Sequence, residues 1–352
     1  MTNASNSERT PEMAAAVNRF RAKAHRPDTA GMLSPLYAWP PQPKALFKFF
    51  FGFPGFLFPF PVVMASVALV KWFLLYPDLS QSSTLSAGWI LKLYLQNVVL
   101  IITWVSSLHL WLYVRRGQGM KFKFNPQWLS RGDRTFLFKV QLWDNVFWNI
   151  FSAVVVWTAY EAVFLWMYSN NILSPLEMGA HPIYTVLLFV VLPFWQGAHF
   201  YFVHRFMHFK MVYRIMHFVH HKNINPGPWS GLAMDPLEVI LFFSPMLVLL
   251  VIPAHPIHAI YLLLVLALFP AVGHAGFERV ELGGFGYIFL GDYMHNLHHK
   301  YVTVNYGAEL VPFDRIFGTA FDGSKDAMRD LASRGRIKAA NRGNAEVDDR
   351  AI

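Results

Sequence analysis

The sequence contains no cysteine. That excludes disulfides, thiolate zinc sites, cysteine-ligated iron–sulfur clusters and cysteine nucleophiles together, so any bound metal is held by nitrogen or oxygen. Charge is scarce as well. Only 14% of the 352 residues are charged, against about 25% in a soluble globular chain. Apolar residues make up 55%, with aromatics at 17%, and they fall in long blocks that point to lipid as the solvent. The formal charge of +9 does not mark a nucleic-acid binder, because the basic residues sit between apolar blocks rather than on one stripe. A cleavable leader is not expected: residues 1–44 are polar and the first apolar block starts too late for a secretory signal. Within that segment, 11–26 reads as a short basic surface helix or a solvated tail. The HExxH pattern of zinc hydrolases is absent.

Six apolar blocks are present, at roughly 57–76, 87–113, 145–168, 182–203, 237–253 and 256–275. A spanning helix needs about 20 mostly apolar residues. The first four blocks meet that length. The fifth is short and the Pro253–Pro256 link is tight, so the last two read as a hairpin that spans incompletely. The loops 77–86, 169–181 and 253–256 carry no Lys or Arg, whereas 114–144 carries Arg115, Arg116, Lys121, Lys123, Arg131, Arg134 and Lys139. By the positive-inside rule, both termini and every basic loop lie on the cytoplasmic face. Lys71 and Lys92 are the exceptions and are expected to snorkel from helix ends. The expected fold is an all-α membrane bundle of four to six transmembrane helices. Its parts are a polar segment (1–44), a transmembrane hairpin with a basic loop (45–144), a catalytic domain (145–322) and a polar tail (323–352). Glu161, inside the third block, is either functional or paired within the bundle.

Eight of the 15 histidines fall in three groups: His204 and His208 as HxxxH, then His217, His220 and His221 and later His295, His298 and His299, each as HxxHH. Residues three and four apart share a helical face, so one turn aims several imidazoles at one point. About 0.03 HxxHH matches are expected by chance, so two are not an accident. All three groups follow apolar blocks on the same predicted face. His274, ending the sixth block, is a further candidate ligand, and His199 reads as a neighbour of the site or of a substrate channel. His25, His109, His181, His255 and His258 read as structural or surface residues.

Eight or nine imidazoles exceed the four to six ligands of one ion, so two metals are implied. Imidazole suits several metals; a His-rich pair at the mouth of an apolar bundle suits redox iron acting on O₂. Glu238, Glu278, Asp292 and Asp314 are available to orient the rings. A divalent-metal transporter and a membrane zinc hydrolase are the rival readings. Transport sites, however, usually lie near the bilayer midplane, whereas these motifs lie at and beyond helix ends.

Across roughly 145–320 the chain resembles the fatty acid hydroxylase / sterol desaturase superfamily, in particular its bacterial members. The shared features are His204-Arg205…His208, Tyr213 to His221, Asn225-Pro-Gly-Pro-Trp-Ser-Gly231, Gly273-His274-Ala-Gly276, His295…His299, Asn305-Tyr-Gly307 and Asp314-Arg-Ile-Phe-Gly-Thr319. The resemblance implies two iron ions, O₂ as co-substrate and hydroxylation or desaturation of a lipid: a fatty acyl chain, a sterol or hopanoid, or an aminolipid such as ornithine lipid. It also implies a cytoplasmic helical cap over the transmembrane stem, electrons from an external donor (a ferredoxin, a cytochrome b5-like protein or a reductase), a bacterial inner-membrane location and no nucleic-acid partner. Where relatives often carry a further His, this chain reads Met234-Asp235-Pro236, which makes Asp235 a candidate carboxylate ligand.

Overall fold

Four helices are long and apolar enough to cross a membrane: Ala87–Val114, Gln141–Ser169, Pro182–Met207 and Pro256–Gly273. Two shorter apolar helices, Phe60–Leu75 and Pro236–Leu250, accompany them. The computed structural model describes residues 25–28, 34–76, 78–308 and 310–333. The surface helix expected within 11–26 lies outside these but for His25 and Arg26. Apart from one antiparallel hairpin, Arg279–Glu281 on Tyr287–Phe289, the described elements are helical, as befits a chain that must satisfy its backbone within lipid.

Two block assignments change. The first block, expected to be long enough to span, yields only Phe60–Leu75. The sixth, expected to fall short, yields Pro256–Gly273, long enough by itself and the most enclosed of the four. Some 83% of its apolar window is buried by protein, against 28% for Ala87–Val114 and Pro182–Met207. The fifth is short, as its length suggested. It runs as α-helix from Pro236 to Phe243 and tightens to 3₁₀ over Ser244–Leu250, where Pro245 removes a donor and crowds the preceding turn.

Lys71 is also placed differently from expectation. It does not snorkel; it is fully buried, its Nζ 2.6 Å from Glu161 Oε1 and 2.8 Å from Asn97 Oδ1. Asn97 Nδ2 donates to Glu161 Oε2 at 2.7 Å, and the Tyr76 hydroxyl also donates to this carboxylate. A carboxylate inside the bundle is a nearer partner for the ammonium than the interface, and each charge offsets the desolvation of the other. Glu161 is thus the paired member of an ion pair.

The helices share a common site end. There Tyr113, near the end of Ala87–Val114, donates to Ala275 O, and Gln141, opening the next long helix, donates to Asn223. His204 and His274 close their helices at the same end. At the opposite end Tyr168 donates to Ala254 O and Tyr184 to Pro253 O. The bundle is followed by helix Tyr293–Tyr301 and by residues 302–308 and 310–333. The first part of the segment read as a polar tail joins them: Lys325–Ser333 is a helix, and its Leu331 is buried with Leu297, Val304 and Phe321.

Candidate metal centre

Helix Pro182–Met207 ends on the first motif, putting His204 in its last turn and His208 at its C-cap. The second motif sits on a short helical run through Lys210–Val212, a π turn over Tyr213–His217, and Phe218–His221. The third lies on Tyr293–Tyr301, whose N-cap Asp292 accepts from the His295 amide. His274 caps the central helix Pro256–Gly273.

These residues converge in two groups, each with its candidate ligand atoms within 4.8 Å of one another. One comprises His204, His208, His217, His221 and His298; the other comprises His220, His274, His295 and His299. The two HxxHH motifs divide in opposite senses. His217 and His221 join the first group and His220 the second, while His295 and His299 join the second and His298 the first. Helical geometry accounts for this division. Positions i and i+4 lie about 40° apart around the axis, whereas i+3 and i+4 are separated by about 100°, so i+3 points to a neighbouring target. Each motif thereby holds both groups at once.

The hydrogen bonds at the far side of the rings determine what the near side can do. His204 Nδ1 lies 2.6 Å from Tyr306 O, His298 Nδ1 2.6 Å from Val304 O and His274 Nδ1 2.8 Å from Pro270 O. A carbonyl only accepts, so each Nδ1 carries the proton and each neutral ring presents a bare Nε2. His217 Nδ1 donates likewise to the Glu238 carboxylate at 2.7 Å. The bare nitrogens face other imidazole nitrogens closely. His208 Nε2 is 3.3 Å from His204 Nε2 and 3.1 Å from His217 Nε2, and His298 Nε2 is 3.0 Å from His221 Nε2. In the second group His274 Nε2 is 3.0 Å from His299 Nε2 and 3.1 Å from His295 Nε2. Where both nitrogens are bare, lone pairs set this close repel unless a cation lies among them; otherwise a proton on one ring joins it to its neighbour. An ion holding imidazoles at about 2.0–2.1 Å places neighbouring nitrogens about 3.0–3.4 Å apart, so the residues fit a metal in each group.

Electrostatics favour the same occupant. Burial, with the neighbouring imidazoles second, pushes His208, His217, His221 and His299 well below the usual histidine range, and it takes His274 to about 4. Neutral imidazole is the form that binds metal. Eight of the nine rings are buried; His208 is half-buried.

Backbone contacts fix the walls. A Cβ at Gly231 would lie 2.5 Å from the Pro270 carbonyl carbon, so only glycine lets the 228–231 turn press on the carbonyl that orients His274. Gly276 sits at φ +73°, where an added Cβ would meet the Tyr113 hydroxyl at 2.5 Å.

Of the four carboxylates expected to orient rings, Glu238 bonds a motif imidazole directly, at His217. Glu278 pairs with His25, and Asp292 accepts from the backbone of its own helix. Asp314 accepts from Tyr306 N at 2.8 Å and Gly307 N at 2.7 Å, steadying the carbonyl on His204. Asp235 lies outside both groups: its Oδ1 accepts from Leu237 N at 2.9 Å as a helix N-cap. His199 stands apart from both groups, bonded to Ser244. The carbonyls of Tyr306, Val304 and Pro270 were not foreseen; only the Asn305-Tyr-Gly307 motif hinted at the first. Replacing Glu238 by Gln is expected to weaken metal binding about 10–100-fold, read by competition with a chelator.

The fatty acid hydroxylase family model matches residues 185–319. That range contains all nine clustered histidines and is narrower than the stretch on which the resemblance was read. No curated protein and no solved structure matches the chain.

Proposed function

We propose that the chain, which carries a fatty acid hydroxylase / sterol desaturase superfamily domain on a multi-pass membrane bundle, is a di-iron oxygenase that hydroxylates a C–H bond of a membrane lipid. The observation that carries this reading is the pair of all-imidazole groups whose bare nitrogens face one another. Bound there, the metals supply O₂ activation, so that RH + O₂ + 2 e⁻ + 2 H⁺ gives ROH + H₂O. The protein holds nine neutral imidazoles in place. Carbonyls and Glu238 fix the tautomers of His204, His217, His274 and His298, and burial excludes water from all but His208. Tyr213 and Tyr306 lie tilted against His208, at ring distances of 5.6 and 5.0 Å, beside the one half-buried member of the first group.

The bilayer retains the substrate, and a fatty acyl chain suits the apolar surroundings. The electrons come from an external donor. Basic loops at the site end, and loops without Lys or Arg at the other, support a cytoplasmic site.

The test is lipid mass spectrometry of cells expressing the protein, with iron quantified in the purified chain. A product gaining 16 mass units in air, absent under argon and absent from the His298→Ala variant, is the expected result. Loss of 2 mass units would make the protein a desaturase. Zinc at full occupancy, with lipid turnover independent of O₂, would sink the oxygenase reading.

A further inference from the structure

The run that carries the second histidine motif has an outer face of an unexpected kind. Its inner face presents His217, His220 and His221 to the metal groups. Met211, Ile215 and Phe218 follow at i, i+4 and i+7, one helical stripe, and are 76%, 61% and 36% exposed. Phe209, just before them, is 64% exposed. Lys210 and Arg214 are also exposed here. A helix whose outer face is apolar and edged by cations suits the boundary between headgroups and acyl chains.

The stripe continues surfaces that already face lipid. Below it, Phe202 and Phe206 on helix Pro182–Met207 are 54% and 46% exposed. Beside it, Glu238 joins His217 on the inside, while Leu237 and Ile240 of the same helix are 49% and 46% exposed outside. The five-histidine group therefore lies one helix thickness behind an apolar wall. His208, the one half-buried ligand candidate, follows Phe206 and precedes Phe209.

We propose that this outer face is seated in the bilayer interface and that lipid reaches the five-histidine group from there, past His208 between Tyr213 and Tyr306. The entry route rests on the oxygenase reading; the membrane seat does not. The two groups then divide the work: the first meets substrate, and the fully buried second does not.

The absence of cysteine makes the test clean. Met211→Cys, Ile215→Cys and, as a water-facing control, Asp326→Cys are each spin-labelled in proteoliposomes. Collision with O₂, which concentrates in the bilayer, is compared with collision with a water-soluble nickel chelate. Labels at 211 and 215 are expected to favour O₂ several-fold and the label at 326 the chelate. Labels at 211 and 215 that behave like 326 overturn the membrane seat, and labels shielded from both reagents replace it with a protein partner. Turnover is then measured for Met211→Asp and Ile215→Asp at unchanged metal content, with at least a tenfold loss expected. Wild-type turnover in both variants overturns the entry route. A wild type that shows the label pattern but oxidises no lipid overturns the oxygenase reading instead.

Discussion

Replacing His220 by alanine is expected to lower the metal content from about two ions per chain to about one and to reduce lipid product more than about 100-fold. The same change at the adjacent His221 is expected to leave both ions in place, one of them held less tightly. The difference follows from group size. His220 belongs to the four-histidine group, which would be left with three imidazoles, whereas His221 belongs to the five-histidine group, which would retain four. His298→Ala, 77 positions from His221, should resemble His221→Ala in metal content, because the two rings meet at 3.0 Å. Elemental analysis of the purified variants checks this. Equal loss of metal from His220→Ala and His221→Ala would show that the motif does not divide between two ions.

The second large effect is on stability. Lys71→Met leaves the Glu161 carboxylate buried with only Asn97 and Tyr76 as partners, at a cost of about 3–5 kcal/mol. Lys71→Met combined with Glu161→Gln removes both charges and keeps a hydrogen-bonding amide, and it is expected to recover most of that loss. Thermal unfolding in detergent compares the two. A single variant as stable as the wild type would mean that the pair contributes nothing net. Neither change touches the histidine groups, so metal content in the surviving folded protein should be unaltered.

Much of the site was legible from spacing. Imidazoles three and four apart at the ends of apolar blocks must point together, and a fourth element ending in Gly273-His274 supplied the ninth ring. What spacing did not reveal was which ring goes to which ion, because that depends on how two helices are turned toward each other. Carboxylates were natural guesses for the groups that orient the rings, yet three of the four bonded ring nitrogens donate to backbone carbonyls, which every residue possesses. Asp235 illustrates the same ambiguity. An Asp ahead of Pro and an apolar run is a helix N-cap by local rules, and here it fills that role through one oxygen. In the bundle, hydropathy identified the apolar segments but not what surrounds them. Lys71 and Glu161 lie 90 positions apart, and their pairing emerges only once three helices pack together. Pro256–Gly273 is equally apolar whether its neighbours are lipid or protein.

The enclosure of that helix has a consequence for biogenesis. The segment at the heart of the bundle is the last of the apolar segments to be synthesised. The other apolar segments are made before the helix they surround, and Gly231 and Pro270 cannot meet until it arrives. The His274 imidazole arrives with it, and the four-histidine group then awaits only His295 and His299 of the third motif. A chain arrested before residue 256 would present that helix's seat as an open apolar cleft and would lack both His274 and the third motif. Neither group is complete until the third motif, which follows that segment, has been made, and a bundle that fails to close holds no complete pair of sites.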